Sequence, residues 1–123
     1  MHGTYPVTVL LEVPFPPSVN SYYRSIRRGR ICQSILSERG REYALSVLEK
    51  IGPQKPLQGR LAVSVELFPP DRRKRDLDNY MKSLLDALTK IGVWEDDSQI
   101  DRLTIARGPL QNKCLVTIEV LYE

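Results

Sequence analysis

Histidine occurs once in the 123 residues, as His2, and cysteine twice, as Cys32 and Cys114. A Ser–His–Asp or Cys–His catalyst, or a His-rich zinc site, therefore lacks its parts. The two cysteines fit no metal spacing and are too few for a disulfide framework, so reduced thiols in a cytoplasmic protein are expected. No glycine-rich phosphate loop precedes either helix-forming stretch, which argues against nucleotide-driven phosphoryl transfer. No apolar run approaches the length of a membrane span. Nor does a basic stretch followed by an apolar block open the chain, so neither a membrane anchor nor a secretory signal is expected. Repeats and internal boundaries are missing as well, and the length suits a single domain spanning residues 1–123.

What is present is an ordinary globular composition, 41% hydrophobic, with a net charge of +3. The distribution of charge says more than its sum. Arg24, Arg27, Arg28 and Arg30 form one cluster, and Arg72, Arg73, Lys74 and Arg75 another. Clustered cations are the electrostatic footprint of phosphate contacts, although a solvated charged face looks the same in sequence. Apolar alternation gives strands over residues 6–13 and 61–67, the first stopped by Pro14, Pro16 and Pro17 and the second by Pro69 and Pro70. Residues 18–24 read as a loop, where Tyr22 and Tyr23 beside the arginines either stack on unpaired bases or simply pack. Gly29 marks a turn before a short strand at 30–34. Ser37 caps a helix over 38–51 that Gly52 and Pro53 end. A second helix, 77–91, carries Leu77, Met81, Leu84, Leu85, Leu88 and Ile91 as one apolar stripe. Asp78, Lys82, Asp86 and Thr89 line another face. Strands follow at 100–107, with Leu103 and Ile105 inward, and from Cys114 to Val120, joined by a short turn at 108–113. These elements make a small α/β (α+β) domain, a mixed sheet of four to five strands with two main helices, partly antiparallel.

The chemistry concentrates between Asp71 and Ile100. Four consecutive bases precede Asp76 and Asp78, and Glu95-Asp96-Asp97 follows the second helix. Two readings of the paired aspartates stay open. One is helix capping, which the macrodipole favours and which one acid satisfies. The other is metal binding: carboxylates about 4 Å apart oppose each other by roughly 4 kcal/mol at an effective dielectric of 20, and a divalent cation removes that cost. An all-oxygen ligand set suits Mg2+ or Mn2+. Lys82, one turn beyond Asp78, is either a surface ion-pair partner or a cation that offsets charge on a phosphate oxygen. Reach constrains Asp97. The helix carries the chain about 20 Å from Asp78 to Ile91, and six extended steps return at most about 20 Å. Asp97 meets Asp78 only if the loop doubles straight back or a partner subunit supplies it, and a site near or shared across a dimer interface is the expectation.

At this point the residues resemble a known family. The run Pro70-Asp71-Arg72-Arg73-Lys74-Arg75-Asp76-Leu77-Asp78-Asn79 is similar to the signature of RusA-type Holliday-junction resolvases, as is the block from Asp86 to Ile100 containing Gly92-Val93-Trp94-Glu95-Asp96-Asp97. Pro16-Pro17-Ser18-Val19-Asn20 and Tyr22-Tyr23-Arg24 match too, and the resemblance covers essentially the full length. It implies a homodimer that binds four-way DNA junctions and makes paired symmetric nicks with Mg2+ in recombination and repair. Carried over, Asp76, Asp78 and Asp97 would be the metal-binding carboxylates and Lys82 the supporting base or cation. Arg75 would contact DNA near the site, and Arg72, Arg73, Lys74, Arg24, Arg27, Arg28, Asn20, Tyr22 and Tyr23 complete the expected DNA-facing set. Glu95 stands where the family pattern carries a less acidic residue. Two alternatives remain: a non-catalytic protein that binds branched DNA, and a nuclease of the same fold acting on flaps or forks.

Overall fold

The computed structural model describes residues 7–122. His2 and the expected strand start at Pro6 lie outside the described residues. Strand β1 (Thr8–Val13) ends at the prolines, and a single helical turn follows, α1 (Val19–Tyr22), in place of the expected loop. Two strands come next, β2 (Tyr23–Arg28) and β3 (Ile31–Leu36), paired antiparallel around Gly29, whose φ of 62° suits a tight turn. The arginine run thus lies largely on a strand instead of in a loop. Ser37 caps α2 (Glu38–Ile51) as expected, its Oγ accepting from the Gly40 N–H at 3.0 Å. Then follow β4 (Arg60–Phe68), a 3-10 turn (Leu77–Tyr80), α3 (Met81–Lys90), a second 3-10 turn (Asp97–Gln99), β5 (Ile100–Arg107) and β6 (Lys113–Tyr122). The second helix therefore begins later than its apolar stripe, because Tyr80 at φ −110°, ψ −11° breaks continuity between the 3-10 turn and α3.

The main sheet is four-stranded in the order β1-β6-β4-β5, and β2 and β3 form a separate two-stranded ribbon. The expected mixed sheet with two main helices is therefore present, with the ribbon as an addition. Strands β4 and β5 pair in parallel across the α3 crossover, and the other pairs are antiparallel. The short turn between the last two strands does not make a hairpin of them: β4 lies between β5 and β6. The connection climbs over the end of β4, where the Gly108 N–H donates to the Leu67 carbonyl at 2.8 Å and the Gln111 N–H to that of Pro69 at 3.1 Å. A Cβ at position 108 would stand 2.4 Å from the Phe68 ring, so glycine alone lets the chain pass so close. As an edge strand β5 is mostly solvated, and Leu103, expected inward, is 38% exposed.

Alternation along the inner strands and the 3.6 period along the helices converge on one core. Leu61, Val63, Val65, Leu67, Val116 and Ile118 from the sheet meet Tyr43 and Val47 of α2 and Leu84 and Leu88 of α3. Trp94, fully buried, fixes the turn after α3, and its Nε1 donates to Thr89 Oγ1 at 2.6 Å. Among the described residues no helix is long and apolar enough to cross a membrane.

Candidate active site

Two loops and one helix face carry the candidate residues. The first loop leaves β4 at Pro69 and Pro70, and its basic run folds around Asp71. Arg75 donates from Nη1 to the Asp71 carbonyl at 3.0 Å, pairs with its carboxylate at 2.9 Å, and lies over the Phe15 ring with 5.6 Å to the centroid. Its guanidinium hydrogen bond holds the Asp71 carboxyl below the usual range. Only 12% of the Arg75 side chain is exposed, so this arginine, expected to contact DNA, is turned inward to shape the loop. Arg72, Arg73 and Lys74 remain exposed. Residues 72–78 and Arg107 line an open cleft of about 650 Å3. Arg107 is not in the set expected from sequence: its Nη2 donates to the Arg75 carbonyl at 2.6 Å, a contact that depends on the β4–β5 pairing and leaves no local trace.

Asp76 occupies the N-cap position of the 3-10 turn, in extended conformation, but its side chain accepts no capping hydrogen bond. Asp78 sits one residue into that turn, and both carboxylates are exposed. Capping, one of the two readings open from the sequence, is therefore not what the Asp76 side chain does. From Asp78, Lys82 and Asp86 follow at intervals of four along α3. Nζ of Lys82 lies 5.2 Å from the centroid of the Tyr23 ring.

The second loop is held by Gln99. Its Oε1 accepts from the Glu95 and Asp96 N–H groups at 2.9 and 3.0 Å, and its Nε2 donates to the Leu57 and Gly59 carbonyls at 3.0 Å each. Asp96 caps the 3-10 turn and accepts from Ser98 Oγ at 2.6 Å, which lowers its pKa. The adjacent acids thus differ in what they do. Asp96 is committed to the turn, whereas the Asp97 carboxyl has the Asp96 carboxylate itself as its side-chain partner. Partial burial, then the charges of Asp96 and Asp86, push the Asp97 carboxyl upward.

Asp86 links this loop to the start of the ribbon. Its Oδ2 accepts from Tyr22 Oη at 3.0 Å and pairs with Lys90 at 3.4 Å. Burial, followed by the Asp86 charge, raises the Tyr22 phenol far above its ordinary value and Tyr23 to about 12. Tyr22 is fully buried and cannot stack on a base; the packing reading holds for it, because its ring fills the seam between α1 and α3. Tyr23 is half-buried beside Lys82. The sequence puts Asp86 on the face of Asp78 and Lys82 but gives no reason to count it in the site; the spacing of four is the signal that could have found it.

One chain does not gather all the candidate ligands. Asp76 and Asp78 stand at the head of α3, whereas Asp97 neighbours Asp86, two helical turns and about 12 Å further along. Among the described residues of a single chain, no three carboxylate, histidine or cysteine side chains are disposed around one metal position.

Exposed carboxylates beside a basic loop and a basic ribbon are an arrangement suited to nucleic-acid phosphates. The relationship is narrower than that. A family model described as Endodeoxyribonuclease RusA matches residues 14–120. The chain is 41% identical over 99 residues to the crossover junction endodeoxyribonuclease of Enterobacteria phage HK97, covering 78% of this chain and 79% of that one. It is 36% identical over 108 residues to crossover junction endodeoxyribonuclease RusA of Escherichia coli K12, covering 88% and 86%. The Enterobacteria phage 82 protein of the same name is 37% identical over 112 residues, again covering 88% and 86%. The protein belongs to the RusA endodeoxyribonuclease family, and is a hydrolase of that class.

Proposed function

We propose that the protein is a homodimeric, Mg2+-dependent endonuclease that resolves four-way DNA junctions by paired symmetric nicks, with Mn2+ able to replace Mg2+. The observation that carries this reading is the Asp76–Asp78 pair: two exposed carboxylates, free of capping duty, set between a cationic loop and Lys82. Their oxygens, with that of Asp97, make a donor set suited to a hard divalent cation. Because Asp97 stands beside Asp86, two turns along from Asp78, the complete site is taken to draw Asp76 and Asp78 from one subunit and Asp97 from the other. A two-fold dimer then presents two such sites to a junction that is itself close to two-fold symmetric.

When bound, the cation supplies an activated water and neutralises charge on the scissile phosphate. Asp76, Asp78 and Asp97 would hold it in place. The Lys82 ammonium faces the phosphate and offsets charge that develops on a non-bridging oxygen. A water oxygen bonds to phosphorus as the bond to the 3′ oxygen breaks, and that oxygen takes up a proton, leaving 5′-phosphate and 3′-hydroxyl ends. Arg72, Arg73 and Lys74 on the loop, with Arg24, Arg27 and Arg28 on the ribbon, track the flanking backbone.

The test is a synthetic mobile junction incubated with and without Mg2+, beside Asp76→Asn. Symmetric nicks in the metal-containing wild-type lane alone support the reading. The separation of Asp97 within one chain favours a second reading, a non-catalytic binder of branched DNA, and binding without cutting would establish that instead. Flap and fork substrates in the same assay separate the same-fold alternative.

A further inference from the structure

Beside the row of carboxylates on α3 lies a cleft of opposite character. Asn20, Arg24, Ser25, Ser34 and Lys82, with the ring of Tyr23, line an opening of about 410 Å3 between the ribbon and α3. No carboxylate contributes to its wall. The antiparallel register places Ser25 directly across from Ser34, and the pleat puts this pair on the same face of the ribbon as Tyr23. Hydroxyls of such a pair, with Cβ atoms roughly 5 Å apart, are close enough to reach one small ligand together. Lys82 bounds the cleft on the α3 side, its ammonium against the Tyr23 ring. Ion pairs in this chain occupy Lys50, Arg60, Arg73, Arg75, Lys90 and Lys113. Among the described residues neither Arg24 nor Lys82 joins one, and the side chains of Ser25, Ser34 and Asn20 find no hydrogen-bond partner there either.

The unpaired Lys82 ammonium, two aligned hydroxyls and an amide, arranged without an opposing acid, fit a tetrahedral oxyanion, while Arg24 lines the cleft from the alternate position of the pleat. Every one of these groups donates, and the oxygens of a phosphodiester only accept. The position of Lys82 gives the cleft its meaning. It stands at the boundary, with Asp78 one turn before it, Asp86 one turn after it, and the cleft to its side. A phosphate in the cleft therefore lies next to the carboxylate row and not among it.

We propose that this cleft is a subsite for the backbone phosphate flanking the one that is cut, and that the Ser25–Ser34 pair fixes the register of the cleaved strand between the ribbon and α3. The inference rests on the nuclease reading, and it gives a role to two serines that carry no charge and belong to no motif. A neutral hydroxyl pair that donates to a charged phosphate is worth on the order of tenfold in affinity.

The experiment walks a single methylphosphonate, which removes one phosphate charge, along the cleaved strand of the junction. Binding without divalent cation and nicking with Mg2+ are measured for wild type and for Ser25→Ala/Ser34→Ala. Wild type should show a penalty of about tenfold at one position beside the cut, and the double variant should shrink it to about threefold or less while leaving penalties elsewhere intact, the mark of direct coupling. Both serines are exposed and unbonded, so the variant should melt within a few degrees of wild type. Ser34→Asp, which introduces a charge, should weaken junction binding further than the double alanine. Wild type that binds and cuts the junction while every penalty persists unchanged in the variant overturns the subsite alone. Wild type that neither binds nor cuts the unmodified junction overturns the nuclease reading, and the subsite with it.

Discussion

The two cysteines show how far burial separates identical side chains. Cys114 is enclosed in the core, and burial pushes its thiol from 9.0 up to about 12, whereas Cys32 is exposed on β3. A thiol reagent should therefore modify one cysteine of the native protein promptly and the second only on unfolding, and two fast equivalents would contradict the burial. The pH dependence has a definite sign. Cys114, Tyr22, Tyr23 and Tyr43 all hold their protons more tightly when folded, so the stability they contribute is complete below their unfolded pKa values, 9.0 and 10.0, and falls as pH rises above them, Cys114 and Tyr23 losing theirs by about 12 and Tyr22 and Tyr43 later. Denaturant midpoints should be lower at pH 11 than at pH 8. Asp97 follows the same rule in the acid range: its pKa is raised, so its favourable contribution vanishes as pH climbs through that value, and the ionised form is a liability at neutrality. Asp97→Asn should raise the melting temperature of metal-free protein at pH 7 while abolishing nicking. Asp76→Asn, which removes a like charge near Asp78, should melt no lower than wild type under the same conditions. A clear drop in either would mean that the acids are held by contacts other than a cation.

The elements around the site are fastened to each other at a few backbone points, and Gly40 is one. It sits in the first turn of α2, and a Cβ there would stand 2.3 Å from the Tyr22 carbonyl oxygen. That oxygen also accepts from the Ser37 backbone N–H at 2.9 Å and from Ser37 Oγ at 3.0 Å, tying α1, β3 and α2 into one joint. Gly40→Ala gains about 1 kcal/mol in helix propensity and loses about 1–3 kcal/mol to the forced shift, so net destabilisation should appear as a lower denaturant midpoint. Because the joint aims Tyr22 at Asp86, nicking should fall as well. The ribbon is a different kind of element. It packs little, and between Tyr23 and Leu36 it bears four arginines and no acid. Arg27→Ala/Arg28→Ala should leave the melting temperature unchanged, weaken junction binding, and reduce the slope of log K against log salt by about 2, one unit for each lost phosphate contact.

At the scale of the whole molecule, mixed dimers test the proposed site in which Asp76 and Asp78 of one subunit are joined by Asp97 of the other. A chain lacking Asp97 paired with one lacking Asp78 rebuilds one intact site if ligands are shared between subunits, and none if they are not. Recovery of nicking in one strand alone is the expected outcome, and no recovery would argue against sharing. The periods of the apolar residues, the proline stops and the Ser37 cap were sufficient to outline β1, α2, β4, α3 and the final strands, since each is a local consequence of side-chain spacing. The crowding of Asp76, Asp78 and Asp97 with basic residues was equally plain, because opposed charges close in sequence must be explained wherever the chain goes. Other facts depended on long-range contact. Of the ribbon only the Gly29 turn and the strand after it were legible; that the preceding arginines form its other strand depends on pairing with β3. Strand β4 came to lie between β5 and β6 because a parallel crossover claimed its other edge. Tyr22 went to the core, Arg75 turned inward, Asp96 was spent on a cap, and Asp97 came to rest beside Asp86. Local pattern can say which side chains face the same way along one element; which of them stand together across elements is decided by packing, where one interior must be filled and every buried polar group satisfied at once.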